Sequence, residues 1–395
     1  MALMQYYHRP WKIITFLFVA LTFISSTASA QDKLLFSGFA FSGNYENRKE
    51  LYPYSSTIEF LKSDNGQPLL NKVFYEKIKN RPHEDARLTT ELGRIGQGNQ
   101  ITVAFALTYE KVEYMELDGH LLLFLGINAN VLAFDRASKQ LIAAYPLRIR
   151  YHDTVIQRLS DEQIVELFKK LYLTNELGIN PFDEWLNKFA GITFKGRHTK
   201  YLQVKNIDIE PEALKMVTAN NQSPKALKNL IANELESSIA STNNIPIIPW
   251  SPGEVVGRVM ALRFCDGNTF NLNLPNPDYE VDFSLRAFRG TEVEGAYSKQ
   301  KIYRALGTIK IFEPDINKYL LNENIYNTQI VTLAKAYDAK VEDWEQYKKT
   351  LNELLYDTSK QFSTVNSGWV KEHASRGAEA INSFHEASKI IDQLK

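Results

Sequence analysis

The sequence holds a single cysteine, so no internal disulfide is possible and no metal site built from several thiolates can form. A predominance of one charge is missing as well. The 46 basic and 46 acidic side chains cancel, which argues against a general nucleic-acid binder, whose affinity rests on neutralising phosphates with a net basic face. Long hydrophobic runs are scarce. Only Ile13 to Ile24 (IITFLFVALTFI) is continuously apolar apart from threonines, and it falls short of the roughly 20 residues that a membrane-spanning helix needs. Catalytic signatures are absent too. There is no G-x-S-x-G elbow for an α/β-hydrolase nucleophile and no two-turn histidine pair of a zinc protease. The glycines Gly93, Gly96 and Gly98 precede a strand, whereas a dinucleotide fingerprint follows a strand and opens a helix.

What is present begins with a transport signal. Arg9 and Lys12 supply a positive n-region, Ile13 to Ile24 an apolar core, and Ala28-Ser29-Ala30 a small-x-small cleavage site. This is the layout of a cleavable secretory signal over residues 1–30. No cysteine stands at the cleavage site, which excludes lipid attachment at a new N-terminal cysteine. Cleavage removes Arg9 and Lys12 and no acidic residue, leaving a slightly acidic mature chain. Near-absence of cysteine in an exported chain of this size points to a bacterial export route ending in the periplasm, with secretion beyond the envelope as the alternative.

The mature chain reads as α+β. Leu34 to Phe41 is a short strand, and Ser56 to Lys79 is helical, interrupted at Gly66-Gln67-Pro68. Ile101 to Val112, Leu121 to Phe134 and Leu141 to Tyr151 carry strand periodicity, the last two forming a hairpin around Asp135 to Lys139. Ser160 caps a helix to Tyr172. The order then recurs: a strand over Tyr201 to Ile209, a helix from Ser223-Pro224 to Ile239, and strands over Tyr279 to Phe288 and Ile302 to Phe312. Leu125-Gly126 and Leu306-Gly307 sit at similar places in the two halves, which suggests duplication. From Thr328 the spacing of Leu333, Tyr337, Val341, Trp344, Tyr347 and Leu351 predicts helix. The expected organisation is a signal peptide (1–30), a first α+β domain (31–155), a helical connector (156–198), a second α+β domain (199–330) and a helical C-terminal extension (331–395).

Candidate site residues are few. Ile245 to Gly253 (IPIIPWSPG) contains Pro246, Pro249 and Pro252, whose stiffness could present Ile248, Pro249 and Trp250 as a binding surface at small entropic cost. A buried strand with Trp250 in the core is the competing expectation. Asp278, Glu280 and Asp282 share one strand face and read as solvated carboxylates rather than a catalytic pair. The histidines beyond the signal, among them His83, His120, His152, His198, His373 and His385, form no metal-ligand spacing. Cys265, before the turn Asp266-Gly267, reads as a structural thiol. No catalytic residue, metal or cofactor is expected.

The hairpin whose turn separates Asn130-Val131-Leu132-Ala133-Phe134-Asp135 from Lys139-Gln140-Leu141-Ile142-Ala143, set within a β-helix-β-β order after a signal, resembles the small periplasmic α/β modules of the curli-secretion-component and TolB N-terminal type. That resemblance spans about thirty residues at the level of motif. It implies an envelope binding or assembly role with a protein partner and no catalysis. The leading expectation is therefore an exported non-enzymatic binding or assembly protein. The alternatives are an exported hydrolase with carboxylates assembled by the fold, and a secreted protein acting on other cells. Oligomeric state is left open.

Overall fold

The computed structural model describes residues 34–43, 45–81, 88–90, 101–117, 120–192, 200–250, 258–334 and 341–395. The expected signal peptide, the glycine cluster at 93–98, His83, His198 and Tyr337 lie outside the described residues.

The architecture is α+β, built on two sheets. The first opens with β1 (Leu34–Ser42), passes through α1 (Arg48–Leu51), α2 (Ser55–Ile58), α3 (Leu69–Asn80) and the short β2 (Leu88–Thr89), and then forms a meander of β3 (Ile101–Leu117), β4 (His120–Asp135) and β5 (Gln140–Val155). β1 runs parallel to β3, and the β4–β5 hairpin pairs Ala133 with Ala143. Its turn is set by Asp135, whose Oδ1 accepts the backbone N–H groups of Ala137 and Ser138 at 2.8 and 2.9 Å. Helices α4 (Asp161–Leu173) and α5 (Pro181–Ala190) follow. Ser160 closes a capping box with Gln163 at the start of α4.

The chain then builds a second sheet with β6 (Leu202–Ile209), and continues through α6 (Pro211–Ala219) and α7 (Pro224–Asn243). The next hairpin, β7 (Val259–Phe264) and β8 (Thr269–Asn273), returns to the first sheet. β7 pairs with the end of β1, Ser42 opposite Leu262, and β8 meets β5 at Gln140 opposite Asn273. The first sheet thereby closes into a six-stranded ring, β1-β3-β4-β5-β8-β7, which leaves few strand edges open. The chain finally completes the second sheet with the meander β9 (Tyr279–Glu294), β10 (Ser298–Glu313) and β11 (Lys318–Ala334), and ends in α8 (Asp343–Lys360), α9 (Ser367–His373) and α10 (Ile381–Leu394).

Both sheets repeat one order: a strand, a crossover containing helices, then a three-strand meander whose first strand is parallel to the opener. The two glycines noted above occupy the middle strand of each meander, and they share a physical reason. A Cβ on Gly126 would meet the Lys111 stem at 2.7 Å, and one on Gly307 would meet the Phe283 ring at 2.5 Å. In each case the glycine lets a side chain from the preceding strand cross over it.

Three hydrophobic clusters hold this arrangement. Phe36, Phe39, Phe74, Phe105, Phe182 and Trp185 pack between the outer face of the ring and α3 to α5, with Phe74 and Phe182 stacked at 4.4 Å. The inner face of the ring carries small residues, Ala40, Ala104, Ala106 and Ala144, against Met260, Leu262 and Leu272. Small side chains there let the strands curl tightly enough to close. Ala104→Leu should therefore overpack the ring and cost about 1–3 kcal/mol, read as a lower urea midpoint at unchanged slope. The third cluster joins one face of the second sheet to α6, α7, α8 and α10 through Val281, Phe283, Leu235, Leu351 and Ile391.

One expectation is corrected. The segment from Thr328 through Leu333 is strand, not helix. β11 pairs with β10 along its whole length, Ile330 opposite Ile302 and Leu333 opposite Lys299, so ladder hydrogen bonds satisfy the backbone that the apolar spacing assigned to a helix. The helix starts later, at Asp343, and its Trp344, Tyr347, Leu351 and Leu354 belong to the core of the second sheet.

Candidate functional site

Helix α7 shapes the candidate site. Ser223 caps it, accepting the Ala226 N–H at 3.2 Å, and Pro224 occupies the first turn. Its Leu227, Ile231, Leu235 and Ile239 seal the second sheet. Its opposite face does not reach solvent: Asn229, Asn233, Glu234 and Glu236 are all buried against the first sheet. A helix buried all round is normally apolar all round, so each of these polar groups requires a partner.

Glu234 has several. Arg148 and Arg150 of β5 both donate to its carboxylate, Arg150 at 2.8 Å, and the Lys111 ammonium of β3 lies at 3.9 Å. Burial pushes the Glu234 carboxyl up, but Arg150, Lys111 and Arg148 together hold it below the usual carboxylate range. The network continues from Lys111 to Glu113, and from Glu113 to Lys348 and Glu345 on α8. It ties the first sheet to α7 and α8.

Glu236, two residues on, has almost nothing. One side of its carboxyl accepts the Trp250 backbone N–H, and Oε1 is buried without a hydrogen-bond partner. Burial holds its proton far above the ordinary carboxylate range. Glu236 lines a cavity of about 590 Å³ at the mouth of the ring, between α7 and the β1, β7 and β8 edge. That volume suits a small-molecule ligand. The other walls come from Ser42, Tyr45, Thr108, Asn229, Asn233, Trp250, Arg263 and Asn271. Thr108 reaches the cavity because β3 bulges between Leu107 and Tyr109, and a bulge at a ring's rim re-aims a side chain. Its hydroxyl donates to the Asn128 carbonyl at 3.0 Å and approaches Asn233 Oδ1 at 3.4 Å. Arg263 is the one cation among these walls, and its charge is matched: its Nε donates to Glu59 at 3.0 Å, and its guanidinium lies 4.5 Å from the centre of the Tyr45 ring.

The segment Ile245 to Trp250 lands at this cavity in a mostly buried posture, close to the competing expectation. Ile247 donates its N–H to Ala144 of β5 at 2.9 Å, and Ile248 donates to Leu202 of β6 at 2.9 Å. The segment thus stitches the two sheets together. Ile248 and Pro249 are buried, and Trp250 is half-buried, packed on the second core with its indole Nε1 buried and unpartnered. Residues 251–253 of the same run lie outside the described residues.

Other candidates have structural partners. Asp278 accepts the Tyr201 N–H at 2.7 Å, Glu280 pairs with Lys205, and Asp282 accepts from Asn206. His152 is exposed, and His373 faces the Tyr326 carbonyl at 2.9 Å while stacking on Trp369. Among the described residues no group of three or more His, Cys, Asp or Glu is placed to hold a metal. Cys265 is buried, and burial pushes its thiol well above the usual range, which makes it unreactive.

Sequence reasoning missed Glu236, Asn229 and Asn233. The available signal was a run of polar residues on a helix whose apolar seam already faced one layer, in a chain with a second layer to place.

No protein-family model matches the chain, and no curated protein matches it. Among solved structures, a minor lipoprotein from Acinetobacter baumannii is similar at 11% identity, covering 41% of this chain and 87% of that one, with a TM-score of 0.19. A hemagglutinin homolog from Helicobacter pylori is similar at 12% identity, covering 44% of this chain and 92% of that one, with a TM-score of 0.19. Both likenesses are too low to define a shared fold, so function is argued from this chain's own residues.

Proposed function

We propose that this chain is an exported, non-enzymatic binding protein of the bacterial cell envelope, and that the cavity beneath α7 takes its ligand. The observation that carries this is the cavity of about 590 Å³ itself, whose wall sets the polar side chains of Thr108, Asn229, Asn233 and Asn271 beside the half-buried Trp250. A concave site of this volume, with apolar surface and a few polar groups in its wall, is of the kind that binds small ligands. Export is supported by the signal layout of residues 1–30, and an envelope role by the likeness of the β4–β5 hairpin to periplasmic binding and assembly modules. The hydrolase alternative requires a second carboxylate or an activated nucleophile. Among the described residues, Glu236 is the single carboxylate lining the cavity, with no histidine or cysteine beside it.

Two measurements test the proposal. Fractionation of cells carrying the full chain should place it outside the cytoplasm, and deletion of residues 1–30 should retain it inside. The low-molecular-weight fraction of an envelope extract should raise the melting temperature of the purified protein by several degrees, as binding to the native state alone requires. Asn233→Phe, which fills the cavity, should abolish the rise. No shift with any fraction, or turnover of the added material, refutes the binding role.

A further inference from the structure

Strand edges that are closed, covered or charged resist pairing with other chains, and one stretch of edge in this fold is none of these. The first sheet closes into a ring, with only the two-residue β2 beside it. On the second sheet, the β6 edge meets Ile248 at Gln203 and carries Lys205 and Asp208. The opposite edge is β11. It carries Lys318 and Glu323 early on and is covered near its middle. There Ser375, just after α9, donates its N–H to the Asn324 carbonyl at 2.8 Å, and the His373 imidazole lies 2.9 Å from the Tyr326 carbonyl. Beyond that point Asn327 to Ala334 (NTQIVTLA) holds neither a charged residue nor a proline. Among the described residues no backbone group bonds the outer side of this stretch. We infer that Thr328 to Thr332 pairs antiparallel with the same edge of a second copy of the chain, around a two-fold axis at Ile330.

The register favours a second copy over an unrelated strand. Backbone N–H and C=O groups of an antiparallel strand point to alternate sides, residue by residue. Asn324 and Tyr326 turn their carbonyls outward, and β11 pairs with β10 without a bulge from Leu321 onward. Thr328, Ile330 and Thr332 therefore also turn their backbone groups outward. An axis at Ile330 sets outward residue against outward residue: Ile330 faces its own copy, and Thr328 faces Thr332 of the second copy. Residues so opposed exchange both of their N–H···O bonds.

The side chains agree with this register. Asn327 and Gln329 reach Glu353 and Thr350 of α8, so Ile330 lies on the other face of the sheet, where it is 58% exposed. Ile302 of β10 stands beside it. In the pair, Ile302 and Ile330 of the two copies form one apolar row across the seam, flanked by Thr–Thr neighbours, which are favourable cross-strand pairs. The lysines of the adjacent strand, Lys299 and Lys301, are matched by Glu292, so neither brings an unpaired charge to the seam. Such a self-complementary contact closes on itself as a dimer.

Sedimentation velocity of the full mature chain over a range of concentrations should show a monomer–dimer equilibrium. Ile330→Lys sets two ammonium groups against each other at the axis and should raise the dimer dissociation constant at least about tenfold, since like charges directly opposite destabilise a strand pair. Ile330→Val keeps the branched apolar side chain and should stay within about threefold of wild type. Circular dichroism and melting of each variant separate loss of the contact from loss of the fold. Cysteine substitution tests the register without adding charge. Ile330→Cys should link to itself under mild oxidation, because opposed Cα atoms in such a pair lie about 5.5 Å apart. Tyr319→Cys, similarly exposed at the start of β11, should not. The native Cys265 is buried and does not compete. A dimer that a folded Ile330→Lys leaves intact, or cross-linking at Tyr319→Cys and not at Ile330→Cys, overturns the inference. A monomer at every concentration overturns it too, including one that takes an extended peptide of another protein at this edge.

Discussion

Glu234→Gln should cost the fold about 3–5 kcal/mol, the loss expected when one partner of a buried ion cluster is removed. Two arginines and a lysine converge on this carboxylate, whose side chain is only 4% exposed. Glutamine keeps the shape and removes the charge, so Arg148, Arg150 and Lys111 are left close together with nothing to offset their mutual repulsion. Urea denaturation followed by tryptophan fluorescence measures the effect. Asp208, an exposed partner of Lys228, provides the contrast, since an exposed pair is worth about 0–1 kcal/mol. A loss below about 1 kcal/mol in Glu234→Gln would show that the cluster contributes little and that the apolar contacts of α7 suffice to join the sheets.

A second variant separates charge from packing. Glu234→Leu combined with Arg148→Met and Arg150→Met removes the carboxylate together with both arginines and leaves Lys111 paired with Glu113, and buried ion groups replaced by apolar side chains of similar volume often retain stability or gain it. The triple variant should therefore recover most of what Glu234→Gln loses. If it is as unstable as the single variant, the cluster acts through geometry that methionine cannot reproduce, such as the Arg150 hydrogen bond to Asn128 at 2.9 Å.

The same helix shows which features were legible in the sequence. Strands β3, β4, β5, β6 and β9 announce themselves through alternation, because the period of two is a local property of the chain. The apolar seam of α7 was legible for the same reason, at its period of three to four. The polar residues beside that seam were not, because polar positions on a one-sided helix ordinarily face water. Here they face β3 and β5, whose Lys111, Arg148 and Arg150 lie some eighty to more than a hundred residues earlier in the sequence. The return of β7 and β8 to the first sheet is likewise a pairing between distant segments. Trp250 stood out by composition, and its place at the cavity wall makes it a site residue in the proposal. Of the two expectations for this segment the structure follows the buried one, because Ile247 and Ile248 use their N–H groups to bind strands of both sheets.

Stability should fall as pH rises through neutrality, and Glu110 and Glu236 should both contribute to the fall. Glu110 lies on β3, fully covered, and accepts the backbone N–H groups of Tyr54 and Ser55 at 3.1 Å together with the Ser55 hydroxyl. Burial is the dominant influence and raises its carboxyl from 4.5 to about 7, with the bonds from Ser55 and Tyr54 acting the other way. No cation pairs with it in the described structure, and the nearby Tyr172 hydroxyl bonds Ser55 rather than the carboxyl. A carboxyl with a raised folded-state pKa binds its proton more tightly in the native state. Its contribution is fully present below about pH 4.5 and is lost as pH climbs through about 7. The shift corresponds to about 3 kcal/mol between the two ends of that window. Glu236 is displaced in the same direction by burial and extends the decline to higher pH. Glu113, by contrast, is drawn down to about 2 by Lys111 and Lys348 against the pull of burial, so its contribution is lost only in strong acid, outside this window. Urea midpoints at about pH 5 and about pH 8.5 measure the difference, and Glu110→Gln should reduce it, leaving the part that Glu236 carries. Equal slopes with pH in wild type and Glu110→Gln would place the proton uptake elsewhere and leave Glu110 ionised, as an N-terminal cap for the short helix α2 that Tyr54 and Ser55 begin.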